Sequence, residues 1–418
     1  MADALDAYLN QDFAGRLEEV KGRLSFAYDK AWLVSDRFIP LSVTMPRTEA
    51  PFPDEIARAF FENLLPEGEI RKTIARLKQL SERNTFGLLG EIGGDCAGAI
   101  SLWPKGEKRR AKEGYAAIGD ERLRQLLSNM KRRPLLLIEN ELRLSLAGAQ
   151  NKLPVRWDGT ELSLPMGGAT SSHILKPGSP GYAHLPVNEH FCMRLAGALG
   201  LPVPDSTLLR KPEPIYLVER YDRTRGANGA LTRIHQIDFC QALNLPSARK
   251  YEKEGGPNLK ACFEVVTRYS KQPAKDRLHL ISWVIFNTLI GNADAHAKNL
   301  SLLITREGIS LAPSYDLIST GVYPDLTPNL ALRIGGESRP DWIRERHWEA
   351  FSEVSGVNPR IVWKRIAELS DAITEAQRSV LADLALDEAE RDLLDGIHAL
   401  IERRAGKLAG FCKAREHR

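Results

Sequence analysis

Hydrophobic positions change their period along the chain. Leu24-Ser25-Phe26-Ala27-Tyr28 alternates with a period of two, which predicts a half-buried strand. Pro53 to Leu64 sets Ile56, Ala59, Phe60 and Leu64 at helical spacing, and a second helix is expected over Glu69 to Gln79. Asp120 to Met130 predicts a short helix. Leu142, Leu144 and Leu146 share one face of Glu141 to Leu146, and this stretch and Lys152 to Trp157 flank Ala147-Gly148-Ala149-Gln150, which predicts a hairpin. Strands follow at Glu161 to Leu164, His173 to Leu175 and Pro214 to Tyr221. Asn188 to Leu199 is expected to be helical, with Phe191, Leu195 and Leu199 on one face. From Arg223 helices dominate: Ile237 to Leu243, Leu259 to Tyr269, Arg277 to Ile290, Trp342 to Ser355, Pro359 to Ser370 and Glu388 to Ala405.

This change from strands to helices near residue 223 predicts an α+β chain of two lobes, a sheet lobe and a helical lobe. A chain of 418 residues exceeds one core. The expected organisation is an N-terminal α+β module over 1–104, a charged linker over 105–118, a nucleotide-gripping lobe over 119–222 and a helical lobe over 223–418. Pro104 and Gly114 bracket the linker. With 43% hydrophobic and 27% charged residues, global disorder is excluded as an expectation. The net charge of +4 does not by itself argue for nucleic-acid binding. Basic residues do cluster, as Lys105, Lys108, Arg109, Arg110 and Lys112 and as Lys131, Arg132 and Arg133, either as solvated faces or as phosphate contacts. Cys96, Cys192, Cys240, Cys262 and Cys412 form no C-x-x-C pair, which fits reduced thiols. With no signal-peptide pattern and no long apolar run, a soluble cytoplasmic protein without membrane contact is expected.

The stretch Gly291-Asn292-Ala293-Asp294-Ala295-His296-Ala297-Lys298-Asn299 follows an apolar run and carries the densest chemistry. A second carboxylate comes in Ser314-Tyr315-Asp316-Leu317-Ile318-Ser319. An Asp, an Asn five residues on and a later Asp is the order in which protein kinases present a catalytic Asp and two metal ligands. Asp294 would orient an acceptor hydroxyl, Asn299 and Asp316 would hold magnesium through hard oxygens, Lys298 would offset phosphate charge and His296 would brace the loop. The plainer reading is a polar loop capping a helix. Lys176 ends a strand as a kinase lysine does, with Glu189 a candidate partner, although strand-end lysines and surface glutamates are common. The turn Ser145-Leu146-Ala147-Gly148-Ala149-Gln150-Asn151-Lys152 is either an anion nest or a simple hairpin, and it matches neither a Walker A loop nor G-x-G-x-x-G.

Together these stretches resemble the HipA-like serine/threonine kinases, toxins of bacterial toxin–antitoxin pairs. The resemblance is carried by Ser145 to Gln150 with Lys152, His173 to Pro177, Asn188-Glu189, Val218 to Arg223, Gly291 to Asn299 and Tyr315 to Ser319, with Phe60 to Glu67 in the N-terminal stretch. It implies ATP and Mg²⁺ as cofactors, Asp294 as catalytic Asp and Asn299 and Asp316 as metal ligands. It implies Lys176 on the ATP phosphates, Glu219, Tyr221 and Asp222 at the hinge, Tyr315 beside the nucleotide, and a phosphate-covering loop from Leu146 to Lys152, including Ala147, Gly148, Ala149, Gln150 and Asn151. Ser145 matches the family's autophosphorylated serine, whose modification expels the loop. The resemblance also implies a small helix-turn-helix antitoxin, operator DNA bound through the complex, and an aminoacyl-tRNA synthetase substrate of the glutamyl type. The alternatives are a DNA-binding co-repressor with a silenced site and a small-molecule or lipid kinase.

Overall fold

The computed structural model describes residues 4–107, 114–130, 145, 147–148, 150–226 and 229–416. The expected strand over Glu141 to Leu146 lies outside the described residues except for Ser145, as do Ala149 and the basic runs Lys108 to Lys112 and Lys131 to Arg133. The chain divides into two compact units. One holds Met1–Ser179, Leu209–Ser247 and Ser301–Ile309; the other holds Pro180–Leu208, Ala248–Leu300 and Ser310–Arg418.

The first unit opens with β1 (Ala4–Leu9), β2 (Asp12–Val20) and β3 (Arg23–Tyr28), which with β4 (Ile100–Pro104) form an antiparallel sheet in the order β3-β2-β1-β4. Lys21 (φ 52°) and Gly22 (φ 77°) close the β2–β3 hairpin, the left-handed pair that suits the twist of the strands. Between β3 and β4 lie α1 (Lys30–Val34), α2 (Asp54–Glu62), α3 (Gly68–Leu77) and α4 (Thr85–Ile92). The apolar stripe of α2 places Phe61 against the sheet, its ring centre 5.5 Å from that of Phe26, while Phe60 is buried against the Phe61 and His235 rings. Asp54 fixes the start of α2 by accepting from the Leu24 N–H at 2.6 Å and from Arg58 at 2.8 Å.

The unit continues through β5 (Gly114–Ala117), α5 (Asp120–Asn129), β6 (Leu153–Trp157), β7 (Leu162–Met166) and β8 (His173–Pro177). The chain then crosses to the other unit for α6 (Leu185–Ala198) and returns within β9 (Ser206–Leu209) to β10 (Ile215–Glu219). Inside the first unit the sheet runs β5-β7-β6-β8-β10, antiparallel throughout. The stretch expected as a charged linker thus contributes a strand, Gly114–Ala117, paired with β7. A hairpin of β11 (Arg223–Arg225) and β12 (Leu231–Arg233) follows, then β13 (His235–Asp238), α7 (Phe239–Ala242) and β14 (Ser301–Thr305), which pairs with β13. The helix expected over Ile237 to Leu243 is therefore a strand end and a single turn. Asp238 starts that turn through a capping box with Gln241, while β14 takes the preceding backbone into a ladder. The chain leaves the unit within β15 (Gly308–Leu311).

The second unit is helical: α6, α8 (Leu259–Tyr269), α9 (Pro273–Ile290), α10 (Glu345–Ser355), α11 (Pro359–Ala382) and α12 (Glu388–Glu416). From Leu280 to Ile290 every residue of α9 is buried, as expected of a helix enclosed by others, here α8, α11 and α12. Both α11 and α12 run beyond their expected ends at Ser370 and Ala405. No helix among the described residues is long and apolar enough to cross a membrane.

Candidate active site and family membership

The loop 291–299 starts where α9 stops. Gly291 ends the helix in the left-handed region (φ 76°, ψ 37°), its N–H bonded to the Asn287 carbonyl. Asn292 then binds three ways: its amide donates to Asn287 Oδ1 at 2.8 Å and to the Asp316 carbonyl at 3.3 Å, and its Oδ1 accepts from the Asp294 N–H at 3.0 Å. Thr320 Oγ accepts from the Ala293 N–H at 2.7 Å and donates to the Gly291 carbonyl at 3.0 Å. The Gly321 N–H reaches the same carbonyl at 3.0 Å. Tyr315 OH donates to the Lys298 carbonyl at 2.6 Å. Asp294, Asn299 and Asp316 therefore stand on two backbone segments laced together inside one unit.

Within the loop, the Asp294 carbonyl accepts from the His296 N–H at 2.8 Å and from Asn299 Nδ2 at 3.1 Å. That second bond fixes the Asn299 amide and leaves its oxygen as an acceptor. Asp294 is exposed, whereas His296, Lys298 and Asn299 are buried. Asp316 holds φ 54°, a left-handed value uncommon for a residue with a Cβ; such positions persist where surrounding contacts fix them. Those contacts include Asn188 of α6, which accepts from the Ser319 N–H and donates to the Ser319 carbonyl, both at 2.9 Å. An amide oxygen and a carboxylate are hard donors that suit Mg²⁺ with water and phosphate oxygens completing the shell. The described residues contain no group of three or more His, Cys, Asp or Glu that could hold a metal ion.

The other candidate residues lie in the first unit. Lys176 is the penultimate residue of β8, is buried, and stands 5.6 Å from the Tyr216 ring centre. Glu219 ends β10 and is exposed. Tyr221 OH donates to Gln236 Oε1. Asp222 faces inward: it accepts from the Gly98 N–H at 2.7 Å and pairs with Arg220 at 2.8 Å and Arg223 at 3.0 Å. Burial pushes its carboxyl up, but Arg220 and Arg223 outweigh this and hold it well below the usual carboxylate range. Asp95 is held the same way, with burial again opposed by Arg233, Arg220 and Arg223. Asp222 thus fixes the turn that carries Tyr221, and its own carboxylate points into the protein.

Ser145 is fully buried. Its hydroxyl donates to the Leu64 carbonyl at 2.7 Å and its N–H to the Asp95 carbonyl at 2.9 Å. Gly148 (φ 109°) pairs with Pro66, and its carbonyl accepts from the Glu67 N–H at 3.1 Å. A Cβ on Gly148 would lie 2.7 Å from Lys152 Nζ, which itself donates to the Ala147 carbonyl. Gln150 and Asn151 are half-buried.

Residues 5–103 match the HipA N-terminal domain and residues 144–377 the HipA-like C-terminal domain. The chain belongs to the HipA family. It is similar to the serine/threonine-protein kinase toxin HipA of Shewanella oneidensis, with 31% identity over 92% of this chain and 90% of that one. It is also similar to the putative kinase Y4mE of Sinorhizobium fredii, with 42% identity over 88% of this chain and 90% of the relative. Among solved structures, the HipA, HipB and operator DNA complex of the Shewanella oneidensis toxin–antitoxin system contains a chain that matches with a TM-score of 0.89 at 29% identity, covering 99% of both chains. The α+β, kinase-like fold with a mixed lobe and a mostly helical lobe is therefore that of HipA, as expected.

Sequence reasoning gave no role to Asn292, Thr320 or Tyr251. Asn292 and Thr320 sit inside or beside the quoted stretches, where a side chain that could bridge two loops was a usable signal. Tyr251 had none, because its contact with Asp294 spans 43 residues.

Proposed function

We propose that this HipA-family chain is an ATP-dependent serine/threonine protein kinase, the toxin of a toxin–antitoxin pair. The observation that supports this most is the lacing of loop 291–299 to the segment bearing Tyr315 and Asp316. In this reading Asp294 orients the acceptor hydroxyl and takes its proton. The acceptor oxygen bonds the γ-phosphorus, the bond from that phosphorus to the bridging oxygen breaks, and ADP leaves. Asn299 and Asp316 would hold Mg²⁺, which when bound neutralises charge on the transferring phosphates. Lys298 and His296 set the loop from within, one through its carbonyl and the other through its N–H.

Lys176 and the loop 147–152 (Ala147, Gly148, Ala149, Gln150, Asn151 and Lys152) take the nucleotide phosphates. Glu219, Tyr221 and Tyr315 border the base and ribose, with Asp222 fixing the hinge turn from inside. Ser145 is the site of self-modification. The organisation into a module over 1–104, a linker over 105–118 and lobes over 119–222 and 223–418 belongs to the same proposal. The partners are a helix-turn-helix antitoxin, operator DNA reached through that complex with co-repression of the operon, and an aminoacyl-tRNA synthetase of the glutamyl type as substrate. The cytoplasm is where those partners reside.

The test is phosphate incorporation at Ser145, read by mass spectrometry after incubation with Mg²⁺ and ATP. Asp294→Asn is expected to lower it by about 10²-fold or more, and chelation of the metal is expected to abolish it. Labelling that survives both would remove Asp294 and the metal from the mechanism.

A further inference from the structure

Tyr251 reaches the carboxylate that the proposed reaction needs. Its hydroxyl donates to Asp294 Oδ1, and its ring meets His296 edge-on with centres 5.0 Å apart. The segment that carries it, residues 248–256, is tied down by its backbone. The Lys250 carbonyl accepts from the Ala297 N–H at 3.3 Å, and the Glu252 N–H donates to the Ala331 carbonyl at 3.3 Å. Gly256 closes the turn onto the Tyr251 carbonyl at 3.0 Å, in a space where a Cβ would lie 2.1 Å from the Arg249 carbonyl oxygen.

We propose that Tyr251 stands in for the phosphoacceptor and gates it, and that the acceptor which displaces it is a serine or threonine flanked by acidic residues. This rests on the kinase reading of Asp294. An acceptor hydroxyl must donate to the Asp294 carboxylate, and a tyrosine hydroxyl already makes that contact, so the two compete for it. Asp294 is exposed, so the competition is open to an outside chain.

The acidic preference follows from charge. Lys250 and Lys253 place their ammonium groups 5.4 and 5.5 Å from the Tyr251 ring centre, and Arg249 is exposed beside them. Of the two acids in the segment, Glu252 faces Arg333, accepting from its N–H at 2.7 Å with the guanidinium 3.9 Å away. The exposed Arg249, Lys253 and Glu254 form the rim of the gate, with a net positive charge. Such a rim favours an anionic chain over a cationic one, and its effect falls with salt.

The test uses the full chain and three synthetic serine peptides, with acidic, uncharged or lysine flanks. Amide hydrogen exchange at 248–256 is expected to rise with the acid-flanked peptide and to ignore the lysine-flanked one. Tyr251→Phe removes a charge-assisted bond the acceptor must displace, so the acceptor KM should fall about ten-fold, well beyond any change in kcat. Arg249→Glu combined with Lys253→Glu should reverse the peptide preference. Exchange indifferent to every peptide would overturn the proposal. So would a Tyr251→Phe enzyme with lower kcat and unchanged KM, since Tyr251 would then hold Asp294 in place and compete with nothing. Peptide-dependent exchange without phosphate transfer in any variant would support the gate as a binding element and count against the kinase reading alone.

Discussion

His235 is buried and His279 half-buried, and both are held neutral. Burial lowers each to about 4, and neither the Leu41 carbonyl bonded to His235 at 2.7 Å nor Asp276 near His279 restores the ordinary value near 6.5. The unfolded chain binds protons at these groups between pH 6.5 and 4 while the folded chain does not. Stability from them is therefore complete above pH 6.5 and is lost as pH falls toward 4. Unfolding in this window should take up about two protons from these residues, measurable as the slope of unfolding free energy against pH. His279→Gln should flatten that slope by about one proton while keeping a partner for Ser314 Oγ, 2.9 Å from His279 Nε2 in the native chain. A slope unchanged by that substitution would show His279 is protonated in the fold. The same scale separates Asp222 from its neighbour Tyr221. Both read as hinge residues in the sequence, yet the Asp222 carboxylate is enclosed by Arg220 and Arg223 of its own turn, and these pair in turn with Asp95, from a segment far off in the chain that no local pattern announces.

At the level of elements, α12 supports the start of loop 291–299. Arg404 donates from Nη1 to the Thr288 carbonyl at 2.7 Å, an orphan acceptor at the C-terminal end of α9. A Cβ on Gly291 would lie 2.5 Å from Leu400 Cδ2 and 3.0 Å from Arg404 Nη1. Gly291→Ala meets both the left-handed backbone and this wall, and is expected to cost about 1–3 kcal/mol of stability, read from denaturant midpoints. The proposed kinase activity should fall through kcat more than through nucleotide KM, because Ala293 to Asn299 hang from this residue. Leu400→Ala relieves the contact, so the double variant should recover part of both losses; strict additivity would mean the wall is not the cause. Residues 388–416 lie beyond 144–377, the stretch that matches the family's C-terminal domain. The elements themselves were unevenly legible. A continuous apolar run stopped by Gly291 marks α9 clearly. The strands β1, β2 and β4 were not read, and the last turns of α12 are charged enough to read as its end. The segment 248–256 folds as tight turns with no period, which is why Tyr251 escaped notice while Asp294, His296, Lys298 and Asn299, set among alanines, did not.

On the scale of the molecule, the first unit joins distant parts of the chain at Ser145. Leu64 and Asp95, from the N-terminal domain, hold its hydroxyl and N–H, and Pro66 and Glu67 hold Gly148 three residues on. The phosphate loop of the proposed site is thus held by a module that carries none of the proposed catalytic groups. A fully buried hydroxyl bonded to a carbonyl has no room for a dianion, and a phosphate oxygen in its place would face the Leu64 carbonyl, acceptor against acceptor. Modification at Ser145 is therefore incompatible with these contacts, and the loop must leave them once the phosphate is in place. Ser145→Glu carries part of that charge and is expected to break the same contacts. Hydrogen exchange should rise at 145–152 and at 64–67 together, and nucleotide affinity should fall by about ten-fold or more if several charge-assisted contacts are lost. Ser145→Ala keeps the site neutral and leaves one carbonyl unsatisfied, at a cost of about 1–3 kcal/mol, so it should loosen the loop less and keep nucleotide binding. If Ser145→Glu left exchange at 64–67 untouched while the loop opened, the N-terminal domain would be a bystander to the release. If both variants behaved alike, the charge would not be what drives the loop out.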